Sequence, residues 1–273
     1  MNILKLLDRL SDDKFFTTEA SRLETLTQIS SFGKKAAIAA APLGLGALMT
    51  NSVKAQKTVS TASTGIAAKS ALTDALQLAL TLEYLEDDYY AKGLATAGLI
   101  PSSDKVVFQQ ISKHEAAHVA FLKAALTSLG EAPAAKPNFN YTVGGAFSPF
   151  TDYSQFLTLA QAFEDTGVRA YKGQAGNVMA NKDILQAALQ IHSVEARHAS
   201  QVRRLRANKG WIEGADGGNI PASVNSKVYV GEDLTNQAGF NTAAAFGAAA
   251  GSAAYDEILT GDAAKAIAQM FIV

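Results

Sequence analysis

The chain contains no cysteine in 273 residues, which excludes disulfides, iron–sulfur clusters and thiolate metal sites. Any metal must therefore be held by oxygen and imidazole nitrogen, a donor set that suits iron, manganese or zinc. The net charge is -1, from 24 basic and 25 acidic side chains, so no basic excess argues for nucleic acid, and there is no acidic tail. No Gly-rich phosphate loop follows a strand, and no Gly-x-Ser-x-Gly elbow occurs. The apolar run from Ala36 to Met49 is too short for a comfortable transmembrane span. Histidine is scarce, with four in all.

Hydrophobic residues make up 48% of the chain and charged ones 18%, which allows a well-buried core and argues against wholesale disorder. Residues 1–64 read as an N-terminal helical extension. Ile3, Leu6, Leu7 and Leu10 fall at helical spacing, as do Leu23, Leu26 and Ile29. Within the extension, residues 31–55 run from Lys34-Lys35 through the apolar stretch to Val53-Lys54-Ala55, the order of an export signal with a cleavage site after Ala55. The long preceding segment and the lack of a twin-arginine pair at Ile29-Ser30 weigh against that reading. An Ala-rich helix packed on the domain is the alternative. Localisation is accordingly exported or periplasmic under the first reading and cytoplasmic under the second.

Residues 65–210 carry the strong helical pattern, in four segments. The first runs from about Ala67 to Ala95 and is closed by Gly98 and Pro101. The second opens at Ser102-Ser103-Asp104, read as its N-cap, and ends before Gly130. The third starts near Thr151-Asp152 and runs to about Val178. The fourth starts near Asn181 and ends before Gly210. Residues 131–150 hold three prolines, Gly144-Gly145 and several aromatics, and read as a loop. Short links join the first pair of segments and the second pair, and the long link between the pairs can cross the bundle. This is an all-α fold: a four-helix bundle with one long crossover, plus helical extensions at both ends. Residues 211–273 read as an irregular stretch to 240 and then two helices, Ala243 to Leu259 and Asp262 to Ile272, packed on the bundle.

Glu-x-x-His occurs twice, as Glu115-Ala116-Ala117-His118 and Glu195-Ala196-Arg197-His198. Positions i and i+3 of a helix share a face, so each motif pairs a carboxylate with an imidazole. Each copy follows a single glutamate, Glu83 or Glu164, on the preceding segment, at separations of 32 and 31 residues. A tyrosine stands seven residues after each of these, Tyr90 and Tyr171, close to two turns on and therefore on the same face. All four histidines lie in the second and fourth segments. One Glu-x-x-His is an ordinary helix surface; two, each with an upstream glutamate at matching distance, point to a buried site for two divalent ions. Four carboxylates facing one another would repel and resist burial, and two divalent cations balance their charge.

The expected ligands are Glu83, Glu115, His118, Glu164, Glu195 and His198, with Glu115 and Glu195 bridging because each sits beside a histidine on its own helix. Glu86 could replace Glu83, but only Glu83 has the matching tyrosine. Tyr90 and Tyr171 either hydrogen-bond the site or carry an electron in oxygen chemistry, against a simpler reading as core packing. His192 stands at the site's edge or on the surface, and His114 is expected to point elsewhere. Asp165 and Arg169 are candidates to support the ligands, although ordinary helix-surface charges are the plainer reading.

Leu82-Glu83-Tyr84-Leu85-Glu86 with Tyr89-Tyr90, His114 to His118, Phe163 to Val168 with Ala170-Tyr171, and Val194 to His198 together resemble the ferritin-like di-iron carboxylate superfamily. Within it the chain is similar to bacterial ferritin-like-domain proteins, some labelled desiccation-related. The resemblance spans roughly residues 70–207. It implies two metal ions, iron first and manganese second, that react with oxygen or peroxide in a ferroxidase or peroxide-detoxifying role. The competing expectation is a non-enzymatic structural or assembly protein, associated with itself as a homo-oligomer or with the cell envelope, in which metal only staples the bundle.

Overall fold

The computed structural model describes residues 63–273, with side chains from Ser70 onward. The amphipathic segments read over 1–30 and the export-like segment 31–55 lie outside the described residues. Four long helices form the body: α1 (Ser63–Ala95), α2 (Ser102–Ser128), α3 (Tyr153–Val178) and α4 (Lys182–Leu205). The α1–α2 and α3–α4 connections are short, and residues 129–152 make the crossover. None of the described helices is long and apolar enough to cross a membrane.

Local chemistry sets the helix ends. Asp152 caps α3 by accepting hydrogen bonds from the Ser154 and Gln155 amides, and Asn181 caps α4 by accepting one from Ile184. The second helix departs from expectation: its N-cap is Pro101, with no side-chain cap, and Ser103 donates to its neighbour Asp104 instead. Proline suits this place because the first helical amides lack partners in any case. The helix closes at Gly130, whose positive φ of 78° lets the Gly130 and Glu131 amides turn back to the Thr127 and Leu126 carbonyls.

α1 packs against both α2 and α3, and α3 against α4. Tyr89 illustrates the crossing of α1 and α3: its ring stacks on Phe156 at 4.9 Å and its hydroxyl donates to the Phe156 carbonyl. Gly93 lies at the same crossing, where a Cβ would come within 2.3 Å of the Phe156 ring. The crossover is tied down by Tyr141, which donates to the Leu85 carbonyl and to Asp88 on α1.

The C-terminal part departs from the sequence reading. A short helix, α5 (Ala222–Val228), and a two-stranded hairpin, β1 (Asn236–Gln237) and β2 (Phe240–Asn241), interrupt the stretch expected to be irregular. The expected helix from 243 to 259 is two short ones, α6 (Thr242–Phe246) and α7 (Ala248–Ala253), because Gly247 adopts a φ of 84° between them. The final helix is α8 (Gly261–Ala268). The segment covers the bundle: the Leu259 amide donates to the Arg169 carbonyl, the Asn140 amide donates to the Phe271 carbonyl, and Phe271 meets Phe163 edge to face at 4.8 Å.

This cover decides the character of α3, which is buried without interruption from Phe156 to Tyr171. Asp165 and Arg169 are therefore not surface charges. Asp165 pairs with Arg203 at 3.1 Å and accepts a hydrogen bond from Tyr229, while Arg169 pairs with Glu232 at 2.6 Å and donates to the Val228, Val230 and Glu257 carbonyls. A buried charge needs a partner, and the C-terminal segment and α4 supply it.

Candidate metal centre

A polar layer splits the apolar core of the bundle in two. On one side lie Tyr89, Tyr90, Phe108 and Phe156; on the other lie Leu76, Leu80, Leu122, Leu126 and Ile184. Between them α1 supplies Glu83, α2 Glu115 and His118, α3 Glu164, and α4 Glu195 and His198. The four glutamates are each 0% exposed, His118 8% and His198 5%. The structure brings these six side chains together.

Each imidazole presents Nδ1 to three carboxylates. His118 Nδ1 lies 3.2 Å from Glu83, 3.0 Å from Glu115 and 3.1 Å from Glu195. His198 Nδ1 lies 2.9 Å from Glu115, 3.2 Å from Glu164 and 3.8 Å from Glu195. The oxygens divide between the two: Glu115 turns Oε2 to His118 and Oε1 to His198, and Glu195 turns Oε1 to His118 and Oε2 to His198. Glu83 faces His118 alone and Glu164 faces His198 alone. Two four-residue groups result, Glu83–Glu115–His118–Glu195 and Glu115–Glu164–Glu195–His198, each with donor atoms within 4.8 Å of one another.

One N–H cannot serve three carboxylates. Glu115 Oε1, Glu164 Oε2, both oxygens of Glu195 and His198 Nδ1 are buried without a hydrogen-bond partner, although they stand a few ångströms apart. Their contacts are close but not aligned for hydrogen bonding. Separations near 3 Å are instead those of ligands around an ion with bonds of about 2.1 Å. The donor set of carboxylate oxygen and imidazole nitrogen fits a hard or borderline divalent ion. These residues could hold metal ions, and the fit rests on convergent, otherwise orphaned atoms.

The tyrosines bind across the repeat rather than within it. Tyr90 donates to Glu164 Oε1 and Tyr171 donates to Glu83 Oε1, each at 2.5 Å. Pairing Glu83 with Tyr171 and Tyr90 with Glu164 requires α1 and α3 to run antiparallel. Each hydroxyl fixes one oxygen of a single-facing glutamate and leaves the other aimed at the centre. Burial, then the neighbouring carboxylate, raises both phenols well above their ordinary range, so they stay neutral donors.

Without metal the layer holds protons. Burial and Glu195 push Glu115 up to about 8. Burial pulls the His118 imidazolium down, but Glu115, Glu195 and Glu83 outweigh it and push the group up to about 12. His198 is raised for the same reason by Glu164, Glu115 and Glu195. Glu195 goes the other way: burial raises it, but the two histidines outweigh burial and bring it down to about 2.

Three neighbours add to the six, and one of them, His114, corrects the sequence reading. His114 does not point elsewhere: its Nδ1 lies 2.9 Å from His198 Nε2, with the ring planes 9° apart, and its Nε2 lies 2.6 Å from the exposed Gln110 amide. The signal was its i, i+4 relation to His118, which places it on the inward face. Glu86 is a fifth buried carboxyl, raised well above its usual range by burial and by Glu195, Glu164, Glu83 and Glu115. Gly167 lets α3 approach the cluster, since a Cβ there would stand 3.3 Å from Glu195 Oε2 and 3.5 Å from Glu86 Oε1. His192 lies half-buried, one turn from Glu195 and outside both four-residue groups.

Fold and site together define a helical-bundle protein with a buried carboxylate–imidazole centre suited to divalent metal. Residues 71–208 match the model of the ferritin-like domain, and the chain belongs to that family. No individually curated protein matches the chain.

Proposed function

We propose that the centre holds two divalent ions, iron or manganese, and reacts with oxygen or peroxide as a ferroxidase or peroxide-detoxifying protein of the desiccation-related type. One observation carries the reading: Glu115 and Glu195 each offer one oxygen toward each histidine, the arrangement that two ions sharing two carboxylates require. Glu83 with His118 would complete one position, and Glu164 with His198 the other. Two ions that each give up one electron would supply the pair that takes dioxygen, with two protons, to hydrogen peroxide, or takes peroxide, with two more, to water.

The chain's own residues do the rest. Tyr90 and Tyr171 orient the single-facing glutamates. The aromatic layer of Tyr89, Phe108 and Phe156 excludes water on one side. Four carboxylates balance two divalent charges, so loaded ligands need no protons.

The test is anaerobic loading with iron or manganese, metal analysis, and stopped-flow oxidation of the reduced protein by dioxygen and by peroxide. Two ions per chain and oxidation within seconds are expected. No stoichiometric metal would reject the reading. Two bound ions without turnover would favour the structural alternative, in which metal only staples four helices.

A further inference from the structure

We infer that a cleft on the outer side of the bundle, between α4 and the C-terminal cover, binds a small planar aromatic anion: a flat ring bearing a carboxylate or a phosphate. The inference does not draw on the metal reading. The cleft measures about 520 Å³, within the range of small-molecule sites. Its walls are α4 between residues 196 and 203, the loop at 210–212, and residues 253–256 at the end of α7. It lies apart from the centre. Ala196 and Ala199 follow Glu195 and His198 by one residue, about 100° further round the helix. The walls are tied to each other, because the Gly214 amide donates to Ser252 Oγ at 2.9 Å and so joins the loop to α7.

Three features select the guest. The first is charge. Both carboxylates at the cleft already have cations: Asp165 pairs with Arg203, and Asp256 lies 3.9 Å from Lys172. Exposed Arg197 has no ion pair or hydrogen bond among the described residues, so one positive charge is left over. The second is a spare donor. Arg203 is buried; its Nη1 and Nη2 donate to Asp165 and to the Asp216 carbonyl, and its Nε–H has no partner. A buried donor without an acceptor is costly, and the oxygen of an anion would supply one. The third is aromatic surface. Trp211 and Tyr255 line the cleft at 51% and 45% exposure, and neither ring touches another aromatic ring among the described residues. The indole N–H of Trp211 donates to Glu213 at 3.3 Å, which holds the ring by its edge and leaves its faces free. Val168, Ala199 and Ile212, all buried, give the cleft an apolar base. A flat ring on these faces, with its acid group toward Arg197, uses all three features. An inorganic anion would leave the rings bare, and a neutral arene would leave the guanidinium unpaired.

Trp211 is the only tryptophan in the chain, so its fluorescence reports this cleft, while calorimetry measures affinity. The probes are 2-naphthoate for the carboxylate and adenosine monophosphate for the phosphate, each beside its neutral counterpart, 2-naphthamide or adenosine. At least one anion should bind the full chain without added metal and change the Trp211 emission. Its neutral counterpart should bind about ten-fold more weakly. Arg197→Gln should remove that difference. Trp211→Ala, read by calorimetry, should weaken charged and neutral forms alike by about ten-fold. Both positions are exposed, so neither substitution should move the melting temperature. Binding of 2-naphthoate alone would assign a carboxylate ligand, and binding of the nucleotide alone a phosphate. If neither anion binds, if charged and neutral forms bind equally, or if both substitutions leave binding unchanged, the assignment is overturned.

Discussion

His114 shows how one imidazole can make two similar positions unequal. With its Nδ1 facing the centre, His198 has Nε2 free to donate, and His114 Nδ1 stands 2.9 Å away to accept. His114 must then carry its proton on Nε2 and donate to Gln110, whose amide oxygen belongs at that contact. Such an outer partner fixes the tautomer and orientation of a metal-binding histidine, and its loss typically lowers metal affinity about 10–100-fold. His114→Ala is therefore expected to weaken one of two positions by about that factor and to spare the other. In a calorimetric titration one of the two binding steps should weaken by about that factor while the other keeps its parent affinity. Equal weakening of both would sink the idea. At this scale the six converging side chains were legible in the sequence because two Glu-x-x-His motifs and two spaced glutamates encode a face of each helix. The cross-repeat tyrosine pairing was not, since the +7 spacing gives a shared face but does not say which neighbouring helix that face meets.

Helix α3 shows what periodicity cannot supply. Its boundaries were readable from Asp152 and the run of apolar residues, yet its burial on every side comes from a C-terminal segment that meets it from far along the chain. Asp165 and Arg169 looked like ordinary surface charges because the partners that neutralise them, Arg203, Tyr229 and Glu232, are 38 to 64 residues away. The short α6 and α7 read as one helix because alanine dominates the stretch and a single glycine breaks it. Gly173 leaves no room between α3 and the cover: a Cβ there would fall 1.8 Å from the Leu259 carbonyl oxygen. Backbone cannot yield as a flexible side chain can. Gly173→Ala should thus push the 254–260 segment off α3, at about 1–3 kcal/mol of stability. Urea denaturation would read the loss, and limited proteolysis should cut the C-terminal segment sooner than in the parent protein. Unchanged proteolysis and midpoint would mean that the cover is not seated as described.

At the scale of the molecule, a proton-loaded and a metal-loaded bundle should respond to pH with opposite sign. Take the metal-free protein first. Glu115 is raised from its ordinary value to about 8 and His118 to about 12, so between about pH 4.5 and 12 the folded chain holds protons that the unfolded chain has released. Stability falls with rising pH wherever the folded state binds more protons, so the metal-free fold should weaken as pH climbs through neutrality. Glu195, lowered to about 2, acts in the other direction only at pH below the ordinary carboxylate value. Metal reverses the slope, because ions bind the deprotonated ligands and displace the imidazolium protons and that of Glu115. Affinity then rises with pH, and each ion at a hundredfold excess over its dissociation constant adds about 2.7 kcal/mol. The gap between the melting temperatures of loaded and metal-free protein should consequently widen from pH 5.5 to pH 8. Anaerobic loading in weak buffer should acidify the solution by more than one proton per chain. A gap that stays constant across that range, with no acid released, would mean that the cluster meets metal already deprotonated, contrary to the electrostatics of four carboxylates buried together.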